Sequence, residues 1–332
     1  MENFDIAESM KKSFIAGAGI ALIQDGRISR KAGFGVLERG QEERVTADTV
    51  FNACSISKFA AAMLAMRLVS EDVLALDEDV NRRLKSWRVP ANGFTQPVTL
   101  RLLLSHQSGI KDPGGSFMEL DFFRSAPSII EILKGTTRYC PEPVHLQYEP
   151  GTEFHYSDAG YCVLEQLIQD VTGVAYEELL KSKVLKPLGM DCSTLNVLDA
   201  HAAAGHNREG SVLEEKYPVY PYPAAAGLWA SADNLGKLFT ELLDAVNAKS
   251  KLSISQNIAE EMIRAQGCSP WTGLGVFVNG EEISSLGWGK GFQSMAVIYP
   301  RLGTGAVIMT NTDTGFHQRD GWIGKILERI LK

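Results

Sequence analysis

Runs of residues suited to β-strands stand at both ends of this chain while its middle reads as mostly helical, so any sheet has to be assembled from both ends. Near the start, Gly19–Ile23 and Ser29–Val36 flank an Asp25-Gly26 pair, the pattern of a tight hairpin. Near the end, Gly273–Val278, Glu282–Leu286, Ser294–Tyr299 and Gly305–Thr310 read as short strands, with Asn279-Gly280 joining the first two. Between these ends, Phe59–Val69, Leu100–Leu104, Ser128–Leu133, Tyr161–Val171, Tyr176–Leu185 and Ala232–Val246 carry helix formers or apolar residues at helical spacing. Gly321–Leu331 reads as a closing helix.

The predicted class is therefore α+β: an antiparallel sheet formed from both termini and flanked by helices, with a mostly helical second lobe. With 332 residues, the chain exceeds the usual size of one core. Residues 1–75 and 225–332 are assigned to the sheet lobe and 76–224 to the helical lobe, with a site at the seam, where pockets favour such interfaces.

The net charge of -7, with no local Lys/Arg run, argues against a nucleic-acid partner. No apolar run approaches a membrane span, and Met1–Asp5 lacks a basic segment leading into an apolar one. The five cysteines are scattered without a C-x-x-C pair and read as reduced thiols. These features predict a cytoplasmic protein acting on a small molecule. His201 and His206 stand five apart, and H-E-x-x-H, P-loop, G-x-G-x-x-G and G-x-S-x-G patterns do not occur, so no metal or cofactor is predicted.

Ser55-Ile56-Ser57-Lys58 leads into the Phe59–Val69 helix, and residues i and i+3 share a helix face. A lysine amine there can reach the serine hydroxyl, which is a weak nucleophile unless a base activates it. The helix N-terminus favours developing negative charge. Ser55 and Ser57 are also candidates to cap this helix. Ser-x-x-Lys alone also describes a cap followed by a solvated lysine. Tyr156 stands on a turn before the Tyr161–Val171 helix; beside an ammonium its phenolate is favoured, its pKa falls, and it becomes a usable base. A tyrosine packed by its ring would look the same. Gly287-Trp288-Gly289-Lys290-Gly291-Phe292 is either a close-approach strand able to donate N–H groups to an oxyanion or a glycine-rich bulge with an exposed lysine.

These three elements, in this order, resemble the serine β-lactamase and penicillin-binding protein superfamily, most closely its class C β-lactamase, DD-peptidase and family VIII esterase branch. Leu102-Leu103-Leu104-Ser105-His106-Gln107-Ser108-Gly109-Ile110 resembles that branch's LLTHTSGL segment. Phe154-His155-Tyr156-Ser157-Asp158-Ala159-Gly160-Tyr161 resembles F-x-Y-S-N-x-G-Y, Pro187-Leu188-Gly189-Met190 resembles PLGM, and Ala226–Asp233 resembles GGL-x-S-T-x-x-D. The resemblance implies Ser55 as nucleophile, Lys58 as its activating partner and Tyr156 as the base. It places Gly289–Gly291 on the strand lining the pocket and Asp158 and Trp288 against substrate.

Two positions depart from the pattern. Asp158 replaces the usual Asn, and a carboxylate beside Lys58 would hold the lysine protonated. Trp288-Gly289 resembles the Trp-Gly-Gly of the esterases more than Lys-Thr-Gly or His-x-Gly, leaving Lys290 as a candidate replacement for the lost cation. The reading is a serine hydrolase of a small ester or amide, most like a carboxylesterase. The alternatives are a β-lactamase or D-amino peptidase, and a catalytically silent binding protein of the same fold.

Overall fold

The computed structural model describes residues 5–120, 125–197 and 201–331, so most of the N-terminal pentapeptide read above for an export signal lies outside the described residues. Asp25 and Gly26 both take positive φ (51° and 68°), the geometry whose twist matches the strands it joins. They connect β1 (Gly17–Gln24) to β2 (Arg27–Gly35). Short β3 (Phe51–Asn52) and β4 (Trp229–Ala230) pair with each other away from the main sheet. The C-terminal strands are β5 (Phe277–Asn279), β6 (Glu282–Gly289), β7 (Phe292–Tyr299) and β8 (Thr304–Thr310). The main sheet runs β2-β1-β8-β7-β6-β5, antiparallel throughout, and Ile20 of β1 faces Ile308 of β8. Both ends of the chain thus build one sheet.

The helices are α1 (Ile6–Lys12), α2 (Ser57–Ser70), α3 (Leu100–Leu104), α4 (Ile129–Leu133), α5 (Asp158–Thr172), α6 (Tyr176–Leu180), α7 (Pro223–Ala226), α8 (Ala232–Val246), α9 (Gln256–Met262) and α10 (Trp322–Ile330). Strand alternation assigns them to faces. Ile20, Met295, Val297, Ala306 and Ile308 meet Met10 of α1 and Trp322, Ile323, Ile326 and Leu327 of α10. The intervening residues Ala21, Ile23, Ala296, Ile298, Val307 and Met309 join the larger core with α2 and α8. Phe59 of α2 stacks on Phe239 of α8 with ring centroids 4.3 Å apart. Every residue of α2 from Ser57 to Met66 is buried, as expected of a helix without a polar face. Each large apolar side chain so buried contributes roughly 1.5–3 kcal/mol.

Two local expectations change. Neither Ser55 nor Ser57 caps α2: the Ser57 hydroxyl donates to the Cys54 carbonyl at 2.6 Å and accepts the Leu228 N–H at 2.9 Å. The strand expected from Gly273 begins only at Phe277. Gly275 turns the chain at φ 78°, donating its N–H to the Leu104 carbonyl and packing on Ala62 of α2 so closely that a side chain would overlap it. Among the described residues, no helix is long and apolar enough to cross a membrane.

Candidate active site

Ser55 lies in a tight turn, Cys54–Ile56, that runs into α2. Cys54 holds φ at 49°, a left-handed conformation that costs a non-glycine residue on the order of 1–3 kcal/mol. Neighbouring bonds enforce it: Asn52 Oδ1 accepts the Cys54 N–H at 2.7 Å, and Ser57 grips the Cys54 carbonyl. Cys54 itself is buried, and desolvation pushes its thiol pKa up, so it is no competing nucleophile.

Lys58 follows one turn later and is 3% exposed. Its Nζ donates to Ser55 Oγ at 3.2 Å and to the Ala225 carbonyl of α7 at 2.9 Å, and lies 2.6 Å from Asp158 Oδ1. Burial disfavours the ammonium, but Asp158 and then Tyr156 outweigh it, and the lysine pKa is raised. The lysine that donates to the serine is therefore a cation at neutral pH.

Tyr156 precedes α5. Its Lys58-facing ring surface has the ammonium 4.8 Å from the centroid, and the charges of Lys58 and Asp158 both act on its hydroxyl. The ring stacks on His106 at 4.3 Å, and the residue keeps 40% of its surface exposed where it lines the cleft. This corrects the expected fall in its pKa: desolvation of the phenolate is the largest influence, Lys58 offsets only part of it, and the net direction is upward. His106 accepts the Ser157 N–H on Nδ1 at 3.1 Å, and burial together with Lys58 pushes its pKa down to about 3, so the imidazole stays neutral.

The start of α5 hangs on a residue that sequence reasoning missed. Asp112 accepts the Ser157 hydroxyl at 2.8 Å and the N–H groups of Asp158 and Ala159, each at 3.0 Å. The Ser157 hydroxyl in turn accepts the Gly160 N–H at 3.0 Å. Asp112 fixes the segment carrying Tyr156 and Asp158 from a loop remote in sequence, and no periodicity or motif marks it. Burial, then the Asp158 charge, raises its pKa despite these bonds.

In front of Ser55 and Tyr156 opens a cleft of about 750 Å³, lined by Trp271, Phe277, Leu286 and Trp288 and, on its polar side, by His317 and Arg319. Trp288 Nε1 donates to Asp313 Oδ1 at 2.8 Å, which fixes its ring. Arg319 is committed to Glu282 and Ser284.

The other glycine-run residues lie elsewhere. Gly289, Lys290 and Gly291 are not among the residues lining this cleft. Gly289 backs onto Cys54 and Tyr220, and Gly291 packs against Gly205 and Leu213. Lys290 Nζ is paired with Glu119 at 2.8 Å and Glu215 at 3.0 Å, so its charge is neutralised within the protein. Two residues earlier on β6, Gly287 sits so tightly on the Ala53 carbonyl and Ser294 hydroxyl that any side chain there would overlap them.

The chain is 24% identical over 319 residues to Protein flp of Staphylococcus aureus strain MW2, covering 94% of this chain and 62% of that protein. It thus spans about three fifths of that relative's length. Its fold superposes on the octameric penicillin-binding protein homologue from Pyrococcus abyssi with a TM-score of 0.77 at 25% identity, covering 98% of this chain and 75% of that one. It shares its fold with EstCE1, described as a hydrolase with promiscuous acyltransferase activity, at a TM-score of 0.76 and 22% identity over 97% of this chain and 94% of that one. Residues 5–328 match the Beta-lactamase family, and with the match running through α1, the whole sheet and every site residue named above, the chain belongs to that family.

Proposed function

We propose that the protein hydrolyses small esters or amides through an acyl-enzyme on Ser55, with carboxylesterase-like preference. The observation that carries this is the contact of Ser55 Oγ with a lysine ammonium held by Asp158 and the Ala225 carbonyl, with the Tyr156 ring 4.8 Å from the same ammonium and lining one cleft with Ser55. Tyr156, as phenolate, takes the Ser55 proton while Oγ bonds to the acyl carbon. The phenol then returns that proton to the departing alcohol or amine. Water repeats the sequence: Tyr156 takes its proton, its oxygen attacks the acyl carbon, and Ser55 leaves with the proton. Lys58 stabilises the phenolate electrostatically, and the backbone N–H of Ser55 supplies a donor for the oxyanion.

The cleft favours an ester over an anionic antibiotic or peptide. Its walls are largely aromatic, and its arginine is already paired with Glu282. The shared fold with a promiscuous acyl-transferring hydrolase supports the same chemistry. The test uses p-nitrophenyl butyrate hydrolysis together with a fluorophosphonate and a penicillin probe, each followed by intact mass and compared with Ser55→Ala. Adduct from the phosphonate alone, at Ser55, supports the esterase reading. Adduct from both supports a β-lactamase or penicillin-binding activity, and adduct from neither supports a silent binding protein.

A further inference from the structure

Glu165 is a buried ionisable group that the acyl-transfer chemistry leaves unused. It lies on α5 and is 4% exposed, and burial pushes its carboxyl pKa up to about 8. Its Oε2 accepts the Ala224 N–H at 3.0 Å. One residue further along, the Ala225 carbonyl accepts Lys58 Nζ. Both residues belong to α7, which packs between α2 and α5 and has only four residues. A helix that short cannot hold its own shape, so its orientation is set by its anchors. On its far side the chain is tied to the nucleophile turn, Leu228 N–H to Ser57 Oγ and Ala53 N–H to the Leu228 carbonyl at 2.8 Å. Facing Glu165 are Tyr176 of α6, whose buried hydroxyl has no partner, and Cys162 of its own helix. Both are neutral, and burial raises both pKa values further.

We propose that Glu165 is a positioning residue: by anchoring α7 at Ala224 it aims the Ala225 carbonyl at Lys58 and so holds the ammonium against Ser55. Lys58 has a long flexible stem and three acceptors, Asp158, Ala225 and Ser55. Loss of the middle one lets the ammonium follow Asp158 away from the serine. This rests on the reading of Ser55 as nucleophile.

Three variants separate the bond from the carboxyl group. Glu165→Gln keeps a carbonyl oxygen of the same reach, Glu165→Met matches length without an acceptor, and Glu165→Asp keeps the carboxyl one methylene short. The readouts are kcat and KM for p-nitrophenyl butyrate, the rate of fluorophosphonate labelling of Ser55, and circular dichroism for folding. E165Q retains activity within about threefold, while E165M and E165D lose about tenfold or more in kcat and labelling rate with KM within about twofold, because an orphaned N–H and a small displacement act on the reacting groups and not on substrate binding. A folded E165M that reacts at the wild-type rate overturns the proposal, as does a loss confined to KM. If E165M does not fold, the contrast of E165Q with E165D decides, and an active E165D beside an inactive E165Q overturns it. A wild-type Ser55 that takes up no phosphonate is a different result: it overturns the nucleophile reading, and this proposal with it.

Discussion

Replacing Asp112 by alanine removes three acceptor contacts at the start of α5, from the Ser157 hydroxyl and the Asp158 and Ala159 N–H groups. Loss of a helix cap costs about 1–2 kcal/mol. The stranded hydroxyl adds about 1 kcal/mol. Against this, Asp112 and Asp158 repel each other, since the Asp158 charge raises the Asp112 pKa, and the substitution relieves that repulsion. The net expectation for D112A is a loss of about 2 kcal/mol. A chain of 332 residues unfolds with an entropy near 2.1 cal/mol/K per residue, so Tm falls by about 3 °C. D112N keeps one oxygen acceptor and gains the same relief, so it stays within about 1 kcal/mol of wild type. Because Tyr156 stands immediately before this segment, D112A also lowers kcat on p-nitrophenyl butyrate by about tenfold or more. Thermal unfolding followed by circular dichroism, with steady-state kinetics on the same samples, measures both. A D112A protein with unchanged Tm, or a D112N protein less stable than D112A, refutes the reasoning.

If Tyr156 is the base, its raised pKa puts the phenolate in the minority at neutral pH, so kcat/KM climbs with pH, by up to about a hundredfold from pH 7 to 9; a profile already flat at pH 7 contradicts it. Lys58 does not confound that comparison, because its folded pKa is raised: its contribution to stability is fully present below about 10.4, the unfolded value, and is lost only as pH rises through the folded one. Gly287→Ala forces a methyl into the Ala53 carbonyl and Ser294 hydroxyl, costing about 1–3 kcal/mol and slowing phosphonate labelling of Ser55; an unchanged Tm and labelling rate would show that β6 has slack there. Lys290→Met breaks two partly exposed ion pairs for about 1 kcal/mol or less and leaves KM alike for neutral and carboxylate-bearing esters, whereas a selective rise for the latter would show that this ammonium reaches substrate.

Local chemistry made much of this architecture legible. Asp25-Gly26 announced its hairpin because few residues accept two successive left-handed conformations, and the Ala, Met and Leu of Phe59–Val69 announced a helix. Ser55 and Lys58 share a face by helical spacing alone. What escaped depends on groups distant in sequence. The upward pKa of Tyr156 comes from burial, which no motif encodes. Asp112 and Glu165 act through backbone N–H groups, and sequence gives no sign of which N–H a carboxylate will meet. Lys290 looked like a cation facing a pocket only because Glu119 and Glu215 could not be placed beside it.

The pairing of β1 with β8 also sets an order of events during synthesis. Ile20 waits for Ile308, and the turn bearing Ser55 waits for β6, so neither can settle until β6 to β8 have been made. Through that interval α2, buried from Ser57 to Met66 in the finished protein, has nothing to lie against. Such long-range closure is slow and leaves sticky surface uncovered, so the nascent chain is most vulnerable to aggregation before its last strands emerge.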